Sequence, residues 1–411
     1  MTPSLIERPQ TLEEVSNALC KSNNEGRSVI PWGGGTRIEI GNIPTSYDTA
    51  LDLSKFTGDI EHEPGDMTVV ANAGVTIGSL NALLRDQGQR LPFEVRNPAM
   101  ATVGGSIASN ASGHRQSSTG GIRDWVIGMQ VVLADGTITK SGGRVVKNVQ
   151  GYEMHRLHTG AFGTLGIVSQ VAFKLLPIPP EQQSVIAWFD NQDTAQDVGM
   201  SFVNGLFAPE AISLIHGPVT QQVLIEAGET YTSDETWVLA IRLGGGVRSI
   251  ERQVNEVVGA SGANGATGYA VLSDIDASAM WAKLEETETK SRTIIRMTSR
   301  TSNALAASHE IATSNIKGEK WVSTICDLGF GAVTVVADLP NDAESLQFIN
   351  STVHTIKKHQ GSYLIEKCPL DVKHGMDVFS DVGNSIDLMR RIKNQYDPSR
   401  ILNPGRFVGK I

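Results

Sequence analysis

The spacing of apolar residues predicts two helices and several short strands in the first part of the chain. One helix follows the capping box Thr11–Glu14 and the other follows Thr76, because each start is succeeded by apolar residues three and four positions apart. Short apolar runs predict strands at 28–32, 51–53 and 68–71. Alternation of helical and extended patterns is typical of a mixed α and β fold.

A hairpin and a longer strand follow. The runs 126–134 and 137–140 flank Asp135-Gly136, a dipeptide that favours tight two-residue turns between strands. Apolar and polar side chains alternate within 163–176, which predicts a half-buried strand. Prolines 177, 179 and 180 then interrupt the pattern, and we place a domain boundary there.

The pattern after the boundary predicts an α+β domain with an antiparallel sheet over residues 182–375. Predicted strands are 185–189, 222–227, 237–243, 293–298, 332–337 and 362–366, and predicted helices are 250–258, 277–289 and 343–359. A further helix is predicted from about Asp381, followed by the tail 397–405. Residues 376–411 therefore form a separate C-terminal segment.

Two glycine-rich segments suggest a ligand. Gly33–Gly35 follows a predicted strand, and Pro98–Asp124 is crowded with Gly, Ala and Ser. Such residues let the main chain approach a ligand closely, and successive amides can point at phosphate oxygens. The stretch 36–41 lacks helical period, so phosphate would be held by loop amides and not by a helix terminus. Two such segments suggest one long diphosphate cofactor; the alternative is a low-complexity loop without a ligand.

Composition narrows the possible functions. The 411 residues are 40% hydrophobic and 19% charged, as in globular proteins, and the net charge of −9 argues against nucleic acid as a partner. Cys20, Cys326 and Cys368 are far apart and form no CxxC pair, so we expect neither a disulfide framework nor an iron–sulfur site. No apolar run is long enough to span a bilayer and the first residues lack a signal-peptide pattern, so we expect a cytoplasmic location.

Histidine spacing does not predict a metal site. His155 and His158 form an HxxH, but no carboxylate pattern completes a ligand set, so we interpret both as structural. His216 is the histidine in a plausible region of the second domain and is a weak candidate for contact with substrate.

The order of several short motifs resembles that of flavoproteins of the vanillyl-alcohol oxidase type, which have a two-part PCMH-type FAD-binding domain. The motifs are PWGGGT (31–36), ATVGGSIASNASG (101–113), GGIRDWVIG (120–128), GTLGIV (163–168) and DPSRILNPGRF (397–407). GGRVVKNVQGYEMHRL (142–157) is similar to the smaller FAD-binding (E) subunits of bacterial glycolate oxidases. The resemblance implies an FAD-binding domain over 1–176, a cap domain over 182–375 and a tail, 376–411, that returns to the FAD domain.

The resemblance also implies which residues hold FAD. The loop that holds the pyrophosphate is matched by Gly33, Gly34, Gly35 and Thr36. The stretch along the ribityl chain and pyrophosphate is matched by Thr102, Gly104, Gly105, Ser106, Ala108, Asn110 and Gly113. The adenine-side strand is matched by Gly166, Ile167 and Val168, and the returning tail by Asn403. Lys147 and Asn148 are candidates beside the flavin, where a cation would stabilise negative charge, although Lys147 could equally be an exposed hairpin lysine. Thr36 stands where some relatives tether FAD through a histidine, so we expect non-covalent FAD.

The implied function is that of an FAD-binding subunit in a glycolate (2-hydroxy acid) oxidoreductase complex. Its partners would be a larger catalytic flavoprotein subunit and an iron–sulfur subunit that passes electrons to a quinone-type acceptor, with the complex peripheral at the inner membrane. The alternatives are a self-sufficient FAD-dependent dehydrogenase for D-lactate or another 2-hydroxy acid, and a non-catalytic scaffold. Catalytic relatives carry an HxxxxxxH metal pair that this sequence lacks, so Lys147 and His216 remain weak catalytic candidates.

Overall fold

The structure, a computed structural model, describes residues 2–143, 151–230, 235–313 and 322–411. Lys147 and Asn148 lie outside these residues. The strands, numbered in chain order, are β1 Leu5–Glu7, β2 Val29–Trp32, β3 Thr49–Asp52, β4 Glu61–Glu63, β5 Thr68–Asn72, β6 Gln89–Arg90, β7 Val126–Val132, β8 Ile138–Gly142, β9 Ile167–Lys174, β10 Leu176–Pro177, β11 Glu181–Phe189, β12 Ala211–His216, β13 Trp237–Gly245, β14 Gly268–Leu272, β15 Thr293–Thr298, β16 Val322–Asp327, β17 Ala332–Ala337 and β18 Ser362–Lys367.

The α-helices in the described part of the chain are also numbered in chain order. They are α1 Leu12–Asn24, α2 Ile77–Arg85, α3 Val103–Ala108, α4 Gln116–Thr119, α5 His155–His158, α6 Gln192–Val203, α7 Val219–Glu226, α8 Val247–Ala263, α9 Asp274–Lys290, α10 Thr301–Thr313, α11 Asp342–Lys358, α12 Leu370–His374 and α13 Ser385–Tyr396. The predicted capping box at Thr11 and Glu14 and the predicted cap at Thr76 are both confirmed. No helix among the described residues is long and apolar enough to cross a bilayer.

The chain divides into two compact units. The first comprises Met1–Gly113, Gly121–Ile178 and Asp377–Ile411, and the second comprises His114–Gly120 and Pro179–Met376. The glycine-rich run Pro98–Asp124 is therefore shared: its middle residues, 114–120, have most of their contacts in the second unit. The spacing of residues in that run gave no sign of this division.

The first unit is built on two main sheets. An antiparallel sheet has the order β4-β5-β9-β7-β8, and a parallel sheet has the order β1-β3-β2. Side chains of the antiparallel sheet such as Val69 and Phe173 form one buried cluster with Leu80 of α2 and with Val103 and Ile107 of α3. This packing fixes α3, and with it the middle of the ATVGGSIASNASG segment, to the core.

The second unit contains one large sheet, in the order β14-β11-β13-β12-β16-β17-β15-β18. Its strands pair antiparallel throughout the described residues, which confirms the α+β fold with an antiparallel sheet that the sequence predicted. Strands β12, β14 and β16 and helices α6 and α10 were not predicted, because short apolar runs do not distinguish a strand from a buried helix.

One predicted strand is wrong. Residues 222–227 lie almost wholly within helix α7, which begins at Val219 and ends at Glu226. Val219, Val223 and Leu224 are buried on one face of this helix, at a spacing of four and five residues. The apolar, β-branched sequence favours a strand locally, and packing of α7 against the second unit's core overrides that preference.

A buried ion pair holds the C-terminal tail of the first unit in place. Lys393 is 2% exposed. Its ammonium group donates hydrogen bonds to Asp397 Oδ2 at 2.5 Å, to the Thr164 carbonyl at 2.8 Å and to the Leu402 carbonyl at 2.9 Å. Asp397, fully buried, accepts from the amides of Ile401 and Leu402. Burial lowers the pKa of Lys393, and the charge of Asp397 opposes that effect. The pair thus joins α13, the tail and the GTLGIV motif.

We predict that Lys393→Met destabilises the protein by about 3–5 kcal/mol, because it leaves the Asp397 carboxylate buried and unpaired. The measurement is the urea midpoint of unfolding. Arg391→Met, at an exposed position on the same helix, is the matched control. It should change the free energy of unfolding by less than about 0.5 kcal/mol. Equal midpoints for the two variants would show that the ion pair does not hold the tail.

Candidate functional site

A groove in the first unit brings together eight of the residues that the sequence predicts for the cofactor. They are Gly33, Gly34, Gly35, Thr36, Thr102, Gly105, Ala108 and Asn403. The groove is completed by Pro31, Arg37, Ile38, Ser109, Phe162 and Arg406. Three distant segments of the chain, the triple glycine, the start of α3 and the C-terminal tail, therefore form a single surface.

The triple glycine lets two of these segments touch. A Cβ atom at Gly33 would lie 2.2 Å from Thr102 Oγ1, and one at Gly34 would lie 1.6 Å from the carbonyl oxygen of Met100. Gly35 has a φ of 73°, a backbone angle that residues with a side chain rarely adopt. Glycine at 33 and 34 is thus required by the chain itself, so close approach of a ligand is not needed to explain these two residues.

The second wall of the groove is a short helix that the sequence did not predict. The Thr102 hydroxyl accepts a hydrogen bond from the Gly105 amide at 3.3 Å and so caps α3. Gly104 faces inward, where a Cβ would lie 2.7 Å from Ala73, and Ser106 is buried. Neither lines the groove as the structure describes it, whereas Gly105 and Ala108 do. With two glycines, a serine and an alanine among its six residues, this segment showed no helical pattern in the sequence.

The remaining predicted residues occupy structural positions outside the groove lining. Asn110 has a φ of 48° just after α3, and a Cβ at Gly113 would lie 2.6 Å from the Glu94 side chain. Ile167 and Val168 are buried, Ile167 in the cluster with Val15 and Leu19 and Val168 in the sheet's main core. A Cβ at Gly166 would lie 2.5 Å from the Val131 side chain.

The tail supplies the groove with polar groups that lack partners. Asn403, with a φ of 45°, donates its Nδ2 to the Phe162 carbonyl, while its buried Oδ1 has no hydrogen-bond partner among the described residues. Arg406, 6% exposed, donates Nη2 to the carbonyls of Ile38 and Ile40, and its buried Nε likewise has no partner there. Unpaired buried polar atoms are costly, so their presence in a groove indicates a ligand that completes them.

Arg406 gives the groove a positive charge. Burial lowers the pKa of Arg406 to about 10, with the charge of Tyr47 acting in the opposite direction. Arg406 therefore stays a cation at neutral pH, and Arg37 lines the same groove. Arg37 was not among the predicted cofactor residues, whereas Arg406 stands in the tail that the resemblance implies returns to the FAD domain. A groove with cations and a bare backbone suits the diphosphate of a dinucleotide.

His216 lies in the second unit, at the end of β12. Its ring packs on that of Trp237, with ring centres 4.2 Å apart and planes 31° apart. This contact accounts for its half-buried position without a ligand. Lys147 and Asn148 are outside the described residues. Among the described residues, no group of three or more His, Cys, Asp or Glu side chains could hold a metal ion.

Comparison with solved structures identifies the architecture. The chain is similar to an alkyldihydroxyacetonephosphate synthase, with a TM-score of 0.72 over 98% of this chain and 77% of that chain, at 17% identity. Two protein-family profiles match as well: an FAD binding domain over residues 3–142, and the C-terminal domain of FAD linked oxidases over residues 381–407. The fold is the PCMH-type FAD-binding fold. All of the groove residues except Phe162 lie within one of these two matches.

The curated relatives of this FAD-binding chain are oxidoreductases of small hydroxy acids. It is 24% identical to glycolate oxidase subunit GlcD of Bacillus subtilis over 99% of this chain and 89% of that protein. It is 27% identical to a mitochondrial D-lactate dehydrogenase (cytochrome) of Saccharomyces cerevisiae over 98% of this chain and 72% of that protein. It is 28% identical to glycolate oxidase subunit GlcE of Escherichia coli over 46% of this chain and 52% of that protein. The cofactor implied by these matches is FAD, and the groove residues fit it.

We predict that the FAD is released when the protein is denatured. By the resemblance to flavoproteins of the vanillyl-alcohol oxidase type, Thr36 stands where a tethering histidine would be, and without that histidine we expect no covalent bond to the flavin. Acid precipitation followed by absorbance at about 450 nm of the supernatant measures the release. Flavin that remains in the washed pellet would contradict non-covalent binding.

We predict that Gly34→Ala weakens FAD binding by about tenfold or more, because a Cβ at 1.6 Å from Met100 forces the triple glycine away from α3. The measurement is titration of the apoprotein with FAD. Gly65→Ala is the matched control, since nothing lies within 4 Å of a Cβ there. If both variants bound FAD as tightly as the parent protein, the contact between Gly34 and Met100 would have no part in shaping the site.

Proposed function

We propose that this chain is the FAD-binding subunit of a glycolate (2-hydroxy acid) oxidoreductase complex that oxidises glycolate to glyoxylate. The observation that supports it best is the groove, in which the glycines, the α3 start and Arg406 meet on one unit. Its partners would be a larger catalytic flavoprotein subunit and an iron–sulfur subunit. A cytoplasmic location, with attachment to the inner membrane through the complex, is part of the same proposal.

The groove residues have distinct roles in this proposal. Arg406 and Arg37 would pair with the diphosphate, and the bare backbone of Gly33–Gly35 would lie against it. Asn403 Oδ1, which lacks a partner among the described residues, would accept a hydrogen bond from a hydroxyl of the cofactor. Bound FAD supplies the two-electron chemistry that these side chains cannot.

The need for partner subunits follows from what the chain's own residues offer. Oxidation of a 2-hydroxy acid requires a base near the hydroxyl and a cation near the carboxylate. The sequence has no HxxxxxxH pair, and His216 packs against Trp237. The three cysteines are not clustered, and Cys326 is buried with a raised pKa because of that burial. An onward electron carrier such as an iron–sulfur centre would therefore belong to another subunit, which would pass electrons to a quinone-type acceptor.

The assignment to an E-type subunit rests on two features of the sequence. One is the segment 142–157, which is similar to the smaller subunits, and the other is the missing histidine pair. A D-type relative aligns with nearly the whole chain and an E-type relative with about half of it, so length of alignment alone favours the D type. The histidine pattern is what favours the E type.

Two other functions are consistent with part of these observations. A self-sufficient FAD-dependent D-lactate or 2-hydroxy acid dehydrogenase is supported by the D-lactate dehydrogenase relative, which matches nearly the whole chain. A non-catalytic scaffold with an FAD-type fold would explain the missing histidine pair, but it leaves the partnerless atoms of Asn403 and Arg406 without a purpose.

We predict that the isolated chain binds FAD and yet turns over glycolate at least about a hundredfold more slowly than the assembled complex. That factor corresponds to roughly 2.7 kcal/mol, within the range attributed to one missing general base. Dye reduction with glycolate and with D-lactate measures it, alongside the flavin absorbance of the same sample. Adding the larger flavoprotein should restore the rate, whereas adding metal alone should not.

The same assay separates the three functions. Glycolate or D-lactate turnover by the isolated chain at the rate of the complex would contradict the subunit proposal and direct attention to Lys147 and His216. A colourless chain that does not take up added FAD would leave only the scaffold.

A further inference from the structure

A second cavity lies in the first unit and shares no lining residue with the FAD groove. Its volume is about 330 Å³, and it opens under the edge strand β8, between that sheet and helices α5 and α13. This volume is in the range that accommodates a small organic ligand. Nothing in the proposed oxidoreductase function uses it.

The cavity walls are mainly apolar. Met129 and Val131 of β7 and Met154 at the start of α5 contribute them, and the Tyr396 ring closes one end. Thioether side chains adapt to the outline of a flat ring, and aliphatic side chains provide apolar contact for its faces. Lys140 lies at the rim on the exposed strand β8, where it could meet a negative charge.

One polar group in the wall is unused. His158 is 5% exposed, its ring meets Tyr396 edge-on at 5.7 Å, and its Nδ1 has no hydrogen-bond partner among the described residues. Burial lowers the pKa of His158 to about 4, so the ring is neutral at pH 7. A neutral imidazole has one nitrogen that donates and one that accepts. A buried imidazole without a partner is costly, and a ligand oxygen would relieve that cost.

We propose that this cavity binds a small, mainly apolar ring compound that carries a carbonyl or carboxylate oxygen, to which His158 donates a hydrogen bond. The faces of the ring lie against Met129, Val131 and Met154. Two sources share this chemistry: a quinone, whose carbonyls are uncharged, and an aromatic acid, whose carboxylate would also pair with Lys140. This inference does not depend on the proposed function.

The experiment measures binding of two probes, menadione for the quinones and benzoate for the aromatic acids, by equilibrium dialysis against the FAD-loaded chain. His158→Leu removes the donor and keeps an apolar shape, and Ser141→Trp fills the cavity from the half-exposed strand β8. His155→Leu is the matched control: His155 is on the same helix, is 3% exposed and also has an unpartnered Nδ1, but does not line the cavity. Flavin absorbance and the melting temperature of each variant verify folding.

We expect at least one probe to bind with a dissociation constant below about 1 mM. His158→Leu should weaken that binding about tenfold, the factor for one lost hydrogen bond, and His155→Leu should change it less than about twofold. Ser141→Trp should abolish it. Binding of menadione alone would identify a quinone site, and binding of benzoate alone an aromatic-acid site. The proposal is overturned if neither probe binds, or if His158→Leu and His155→Leu bind equally well. Neither of these two outcomes would change the result expected from the FAD titrations.

Discussion

The site depends on one buried ion pair, between Lys393 and Asp397. The Lys393 ammonium has three donors and uses all of them, on a carboxylate and on two carbonyls from separate parts of the first unit. Asp397 in turn fixes the tail, and Leu402 then lies beside Val29 as an added parallel bridge. The amide of Asn403 donates to the Val29 carbonyl at 2.9 Å, next to the strand that leads into the triple glycine. Backbone hydrogen bonds from the Thr45 amide to the Pro404 carbonyl and from the Asn42 amide to the Arg406 carbonyl also hold the tail at the groove.

The second constraint is close approach of backbone to backbone. Gly33 and Gly34 have no room for a side chain, because Thr102 and Met100 already occupy that space. The groove is thus assembled by chain packing before any cofactor is considered, and the cofactor completes polar atoms that the chain leaves without partners. Preorganisation of this kind limits the cost of ordering loops on binding. The same logic applies to His158, whose Nδ1 has no hydrogen-bond partner in the part of the chain that the structure describes.

Much of the fold could be predicted from the sequence, and the failures have physical causes. Caps at Thr11 and Thr76 marked helices and glycine clusters marked the groove, because the residues that carry each signal belong to the feature itself. Helix α3 escaped prediction because Gly and Ser disfavour helices, and the Thr102 cap and the burial of Val103 and Ile107 stabilise it. The position of Arg406 depends on the ion pair at Lys393, a contact between residues whose roles no local pattern reveals. Assignment of 114–120 to the second unit is likewise a property of the packed molecule.

We propose that the groove of the first unit holds the diphosphate of FAD. The most direct measurement is a crystal structure of the chain with FAD bound. We expect the diphosphate against Gly33–Gly35, within hydrogen-bond distance of Arg406, and a cofactor hydroxyl on Asn403 Oδ1. A structure in which FAD binds elsewhere, with Asn403 Oδ1 and Arg406 Nε still without hydrogen-bond partners in an open groove, would contradict this placement of the cofactor.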